Sequence, residues 1–146
     1  MTSWQKYADK ATDWSDEQYA DARTYLARRA ELVRTLGPPL VPGDVVLDLA
    51  CGDGWLGDFL PEQRYVGVDA SEEMVAAGHK RGRELVHADL NDYEPPQPVQ
   101  ATTIFRAIYY ARDRRELFRR VAGFTMTASG SAAGATLPAE PQSAIR

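Results

Sequence analysis

Three short apolar runs, each ending in or beside an aspartate, constrain this 146-residue chain more than any other feature. Val45-Val46-Leu47-Asp48-Leu49 comes first and Tyr65-Val66-Gly67-Val68-Asp69 second. Glu84 to Ala88 is the third, with Asp89 next in line. Runs of this length with β-branched residues predict buried strands. Helical segments separate them. Trp55 to Leu60 begins one, ended by Pro61. Ser71 caps the next, with Glu72 and Glu73 at its positive end and His79, Lys80 and Arg81 at its negative end before Gly82. A fourth strand is expected over Thr102 to Ile108. Asp113-Arg114-Arg115-Glu116 then matches a capping box opening a helix with Leu117, Val121 and Phe124 on one face. Alternating strands and helices imply a parallel sheet with right-handed crossovers. The expected class is α/β, a Rossmann-like parallel sheet of about four strands with flanking helices.

A helical preface precedes the first strand. A short helix is expected from Trp4 to Ala11, and Ser15-Asp16-Glu17-Gln18 matches a second capping box. Tyr19, Ala22, Leu26, Ala30 and Val33 follow at helical spacing until Gly37-Pro38-Pro39, where a left-handed glycine cap and two prolines stop the helix. At the other end, 16 of the 22 residues from Thr125 to Arg146 are Ala, Ser, Gly, Thr or Pro. Such a segment buries too little surface to offset its ordering entropy. The expected organisation is one domain over residues 1–126, with a helical arm at 1–37 and a disordered or atypical tail at 127–146.

In an open parallel sheet, ligands bind outside the carboxyl ends of the strands, where strand order reverses. The residues at those ends are Asp48 with Ala50-Cys51-Gly52-Asp53-Gly54, then Asp69-Ala70, Asp89-Leu90 and Arg106-Ala107. A partly dehydrated carboxylate needs a ligand donor, such as ribose hydroxyls, an ammonium group or an exocyclic amine. Gly52-x-Gly54-x-x-Gly57 formally satisfies the dinucleotide fingerprint. However, Asp48 and Asp53 flank that turn, and negative charge beside a diphosphate is unfavourable. Asp69 follows Gly52 by only 17 residues, against roughly 20 after the fingerprint. A cofactor with a cationic part fits the loop better than one with two phosphates.

These residues carry a resemblance. Val46-Leu47-Asp48-Leu49-Ala50-Cys51-Gly52-Asp53-Gly54 resembles motif I of the class I S-adenosylmethionine-dependent methyltransferases. Tyr65-Val66-Gly67-Val68-Asp69-Ala70-Ser71-x-x-Met74 is similar to their second motif and His87-Ala88-Asp89-Leu90 to their third. Phe105-Arg106-Ala107-Ile108-Tyr109-Tyr110 resembles the segment closing strand four, and Tyr7-x-x-x-Ala11-x-x-Trp14 the arm over the cofactor. The resemblance spans roughly residues 4 to 124. It implies S-adenosyl-L-methionine as cofactor and a small-molecule acceptor of its methyl group. Asp48 and the loop Ala50, Cys51, Gly52, Asp53, Gly54 would receive the methionine part. Asp69, beside Ala70, would accept from the ribose hydroxyls. Asp89 would take the adenine amino group, with the Leu90 N–H on the ring. The Arg106 carbonyl would face the methionine ammonium, while Tyr7 and Trp14 would shield the sulfonium. The family's sheet has seven strands, so four imply a carboxyl-truncated form with strand four as an exposed edge. Trp55 stands at a usually small position, and Ala50 where many relatives have Gly.

The remaining features exclude more than they add. A formal charge of −4 argues against a general nucleic-acid partner, and the arginines between Arg112 and Arg120 read as a solvated helix face. Cys51 is the sole cysteine, which excludes an internal disulfide, and it reads as a small buried filler. His79 and His87 are too few for a metal site. No membrane segment is expected, and a soluble cytoplasmic protein is the simplest reading. No residue is identified as a general base. Two other functions compete: a nicotinamide-dependent oxidoreductase, through the glycine fingerprint, and a non-catalytic cofactor-binding module that needs a partner chain.

Overall fold

The computed structural model of the protein describes residues 21–126. The arm residues Tyr7 and Trp14, the expected helix at Trp4–Ala11, the capping box at Ser15–Gln18 and the tail at 127–146 lie outside that range. Within it, four strands form one sheet: β1 (Val45–Leu49), β2 (Arg64–Asp69), β3 (Glu84–His87) and β4 (Ala101–Thr103). Their order is β3-β2-β1-β4, and every pairing is parallel. The order therefore reverses between β1 and β4, where crossovers leave on opposite sides and open a crevice.

Strand periodicity decides what each face carries. In β1, Val46 and Asp48 point one way, while Leu47 and Leu49 point the other. Val46 joins Leu26, Ala30 and Val33 of helix α1 (Ala22–Leu36) and Val75 of helix α2 (Glu72–Lys80) in one core. Leu47 and Leu49, both fully buried, join Val66, Val68 and Leu117 of helix α3 (Arg114–Phe124) on the opposite face. Burying side chains of this size contributes about 1.5–3 kcal/mol each.

Sequence and structure agree on most helix ends. Ser71 accepts from the Met74 N–H at 3.3 Å to open α2. Asp113 accepts from the Arg115 and Glu116 amides at 2.9 and 3.1 Å to open α3. The α1 apolar positions Ala22, Leu26, Ala30 and Val33 are all buried, and Asp21 caps that helix by accepting from the Thr24 N–H.

Five expectations need correction. Gly37 ends α1 in extended backbone at φ −85°, not as a left-handed cap. Its role is close approach, since a Cβ there would meet the Val33 carbonyl oxygen at 2.6 Å. The segment Trp55–Phe59 is a 3-10 turn rather than an α-helix, held between a left-handed Gly54 and Pro61. Strand β3 stops at His87, one residue before Ala88. Strand β4 covers only Ala101–Thr103, because the chain leaves the sheet after Thr103 and turns through a left-handed Arg106, at φ 54°. The outer side of β4 is also not wholly bare. After α3, Thr125 forms a parallel bridge with Val99, the Met126 N–H donates to the Val99 carbonyl at 2.7 Å, and the Thr125 and Thr102 hydroxyls are hydrogen-bonded.

Candidate functional site

The crevice at the carboxyl ends of the strands has a volume of about 320 Å³. Every described residue expected at the site except Gly54 lines it: Asp48, Ala50, Cys51, Gly52, Asp69, Ala70, Asp89, Leu90 and Arg106. Gly54 is buried behind the loop, where a Cβ would meet the Leu85 side chain at 2.8 Å.

The loop after β1 is shaped by left-handed backbone. Ala50, Gly52 and Gly54 have φ of 59°, 61° and 73°. Ala50 is thus held where glycine would be unstrained. Asp69 closes the loop from the neighbouring strand, one carboxylate oxygen accepting from the Gly52 N–H at 2.8 Å and the other from the Ser71 N–H at 2.9 Å. Burial raises its carboxyl to about 6 despite those two amides. Each oxygen thus has one amide donor and a second lone pair not used by it.

Asp48 is deeper, with 4% of its surface exposed. It accepts from the Tyr65 hydroxyl at 2.6 Å and from the Thr103 hydroxyl at 2.9 Å. Burial lifts it to about 6, the two hydroxyls opposing. Asp53 also lines the crevice, its buried carboxylate accepting from the Trp55 N–H and pairing with Arg81 at 3.2 Å. Arg81 in turn lies over the Trp55 ring, 5.0 Å from its centroid, which keeps that bulky side chain against the wall of the crevice. Burial, with Asp48 and Asp69 near, pushes the Cys51 thiol up, the direction of an inert thiol.

Asp89 is exposed at the mouth. One of its oxygens accepts from both the backbone and side-chain N–H of Asn91, at 2.8 and 2.7 Å. Asn91 also donates to the Tyr110 carbonyl and accepts from the Arg112 N–H, so it braces the third strand end against the segment after β4. Tyr109 and Tyr110 line the same mouth, their ring centroids 4.6 Å apart.

Sequence reasoning missed Asn91 and a group on α1. Tyr25, Leu26 and Arg29 line the crevice, and Phe105 faces them from beyond β4. The Arg29 guanidinium lies 4.7 Å from the Tyr25 ring centroid and 4.6 Å from that of Phe105. Among the described residues no carboxylate is in ion-pair distance of it. Both rings lie within cation–π distance of the guanidinium, whose planar fork carries paired N–H donors. The crevice thus joins carboxylates on three strand ends with one aromatic-bound cation. Neither histidine lines it: His79 bonds the Leu85 carbonyl and His87 that of Ala70. Among the described residues no group of His, Cys, Asp and Glu could hold a metal ion, and no helix is long and apolar enough to cross a membrane.

Residues 46–126, more than half of the chain, match the family model of the methyltransferase domain. The chain belongs to the class I S-adenosylmethionine-dependent methyltransferase family. Within that family it is similar to the trans-aconitate 2-methyltransferase of Azoarcus sp. (strain BH72), at 38% identity over 95 residues, 59% of this chain and 36% of the relative. It is also similar to the trans-aconitate 2-methyltransferase of Escherichia coli O157:H7, at 29% identity over 114 residues, 73% of this chain and 44% of the relative. The chain spans about a third of the length of the first of these relatives. A methyltransferase from Geobacter sulfurreducens, solved in complex with S-adenosyl-L-homocysteine, shares its fold with a TM-score of 0.62 at 16% identity, over 84% of this chain and 52% of that one. The plantazolicin methyltransferase BpumL does so with a TM-score of 0.63 at 18% identity, over 84% and 51%. At these identities the likeness shows the fold, a Rossmann-like methyltransferase sheet.

Proposed function

We propose that the crevice binds S-adenosyl-L-methionine and that the protein transfers its methyl group to a small-molecule acceptor. The observation that carries this reading is the convergence of Asp48, Asp69 and Asp89, from three strand ends, on one crevice with the Gly52 loop. The donor set fits the cofactor's chemistry. Asp69 has lone pairs for the ribose hydroxyls, beside an amide-pinned loop. Asp89 accepts from the adenine amino group, with Leu90 and Ala70 against the ring. Asp48 and the Arg106 carbonyl face the ammonium, while the Ala50, Cys51 and Gly52 backbone gives close approach and Gly54 acts only by shaping the loop. Arg29, beside the Tyr25 and Phe105 rings, offers paired N–H groups to the methionine carboxylate. By the resemblance, Tyr7 and Trp14, outside the described residues, would shield the sulfonium.

The bound cofactor supplies an electrophilic methyl group on a cationic sulfur. The chain's part is to fix that group in line with an acceptor, so catalysis is mainly proximity and orientation. The similarity to trans-aconitate 2-methyltransferases supports a carboxylate acceptor. A carboxylate is already ionised at neutral pH and attacks without a general base. The nicotinamide alternative is disfavoured by Asp48, which brings charge to the place a diphosphate would occupy.

Calorimetry with S-adenosylhomocysteine and with NAD tests the reading. Saturable binding of the former at micromolar concentration supports it. Binding of NAD with no response to S-adenosylhomocysteine overturns it.

A further inference from the structure

We infer that Tyr65 and Thr103 are positioning residues that hold Asp48 as an oriented carboxylate facing the crevice. The inference rests on the cofactor reading above, because the charge so held is the one offered to the cofactor's ammonium. Asp48 sits on the middle of three strands and takes one donor from each neighbour. Thr103 is its register partner on β4, and its hydroxyl reaches one oxygen at 2.9 Å. Tyr65 stands two residues before Gly67, the partner on β2, and so shares its face. The phenol reaches the other oxygen at 2.6 Å. Tyr65 is itself buried at 5% exposure, so its ring packs in the α1 core while its hydroxyl serves the site.

Two hydroxyls replace part of the hydration that an anion in this place loses. An ionised carboxylate cut off from water is strongly disfavoured unless donors replace the lost hydration. Two fixed donors on opposite oxygens also set the plane of the carboxylate. Each oxygen keeps a second lone pair, and Asp48 lines the crevice beside the loop after β1. The charged surroundings alone do not settle its state. Arg29 on α1 favours the anion, Asp69 at the end of β2 opposes it, and the Cys51 thiol and the Asp53–Arg81 pair stand in the adjoining loop. The hydroxyl pair tips that balance, since burial already lifts Asp48 to about 6 with both donors in place. A purely structural Tyr65 would fill core volume, and phenylalanine would fill it equally well.

The test compares wild type with Tyr65→Phe, Thr103→Val and Thr103→Ser. Two readouts are taken: the pH titration of the Asp48 carboxyl carbon by NMR in the ligand-free chain, and S-adenosylhomocysteine affinity by calorimetry between about pH 6 and 8. In Tyr65→Phe the Asp48 midpoint is expected to rise by about one pH unit. Affinity should fall about fivefold at pH 6 and about twofold at pH 7, and recover toward wild type at pH 8, as Asp48 ionises. Thr103→Val should do the same to a smaller extent, and Thr103→Ser, which keeps the hydroxyl, should behave as wild type. An unmoved Asp48 titration with unchanged affinity in Tyr65→Phe would overturn the inference. If wild type fails to bind while Tyr65→Phe still shifts the Asp48 titration, the cofactor reading falls and the hydroxyl clamp stands.

Discussion

The Gly52 amide donates to the Asp69 carboxylate at 2.8 Å, tying the loop after β1 to the end of β2. One carboxylate thereby shapes the loop and faces the same crevice. Asp69→Ala should free the Gly52 amide and delete the proposed ribose acceptor together. The expected loss in S-adenosylhomocysteine binding is about 1–3 kcal/mol, the range for a hydrogen bond to a charged group. Asp69→Asn should fall between, since one amide oxygen serves Gly52 or the ribose but cannot repeat both carboxylate contacts. Calorimetry on both variants checks this, and wild-type affinity in Asp69→Ala would take the residue out of the site.

The same two buried carboxyls make stability and binding respond oppositely to pH. Asp48 and Asp69 are raised from 3.8 to about 6 in the folded chain, burial being the main cause. Between about pH 4 and 6 the folded state therefore holds more protons than the unfolded state. The stability these groups contribute is greatest below about pH 4, falls as pH rises, and levels off above about 6. Each unit of pKa difference corresponds to about 1.4 kcal/mol per group. Cofactor affinity should run the other way and weaken as pH drops through about 6, when both acceptors become protonated. Denaturant unfolding between about pH 4.5 and 7 should show a smaller pH-dependent loss in Asp48→Asn than in wild type. Equal slopes would mean that Asp48 does not titrate in this window.

Asp89 tests hydrogen bonding apart from charge. Asn91 already occupies one of its oxygens with two N–H groups, leaving the other for the adenine amine. Asp89→Asn keeps an acceptor and should lose less affinity than Asp89→Ala. Asn91→Ala should weaken binding as well, because the strand end loses its brace to Tyr110. Equal losses in the two Asp89 variants would assign the effect to charge.

How far the sequence exposes all this depends on how local the cause is. The β1 and β2 runs and their terminal aspartates are legible because apolar patterning and strand ends are short-range properties. The helix caps at Ser71 and Asp113 are legible for the same reason. The end of β4 is not, since Ile104 and Phe105 continue the apolar run while a left-handed Arg106 turns the chain away. Asp48 is visible as a site residue, but its donors are not. Tyr65 looks like strand core, and its link to Asp48 exists only once β1 and β2 are in register. Arg29 is hidden in the same way. One arginine within an amphipathic helix reads as a solvated charge until α1 is laid across the strand ends, with Tyr25 and Phe105 on either side.

Arg29 gives the sharpest separation of the cofactor's parts. Its guanidinium is held 4.6 to 4.7 Å from two ring centroids, and its planar fork presents paired N–H donors. Paired edge donors match a carboxylate, and the proposed ligand has one carboxylate, on its methionine part. Arg29→Ala should therefore weaken S-adenosylhomocysteine by about 1–3 kcal/mol. It should leave 5′-methylthioadenosine, which keeps the adenosine but has no amino-acid part, nearly unchanged. Arg29→Lys retains the charge without the planar fork, so it should restore only part of the loss. Equal weakening of both ligands by Arg29→Ala would show that Arg29 acts through the packing of Tyr25 and Phe105, and the carboxylate contact would be withdrawn.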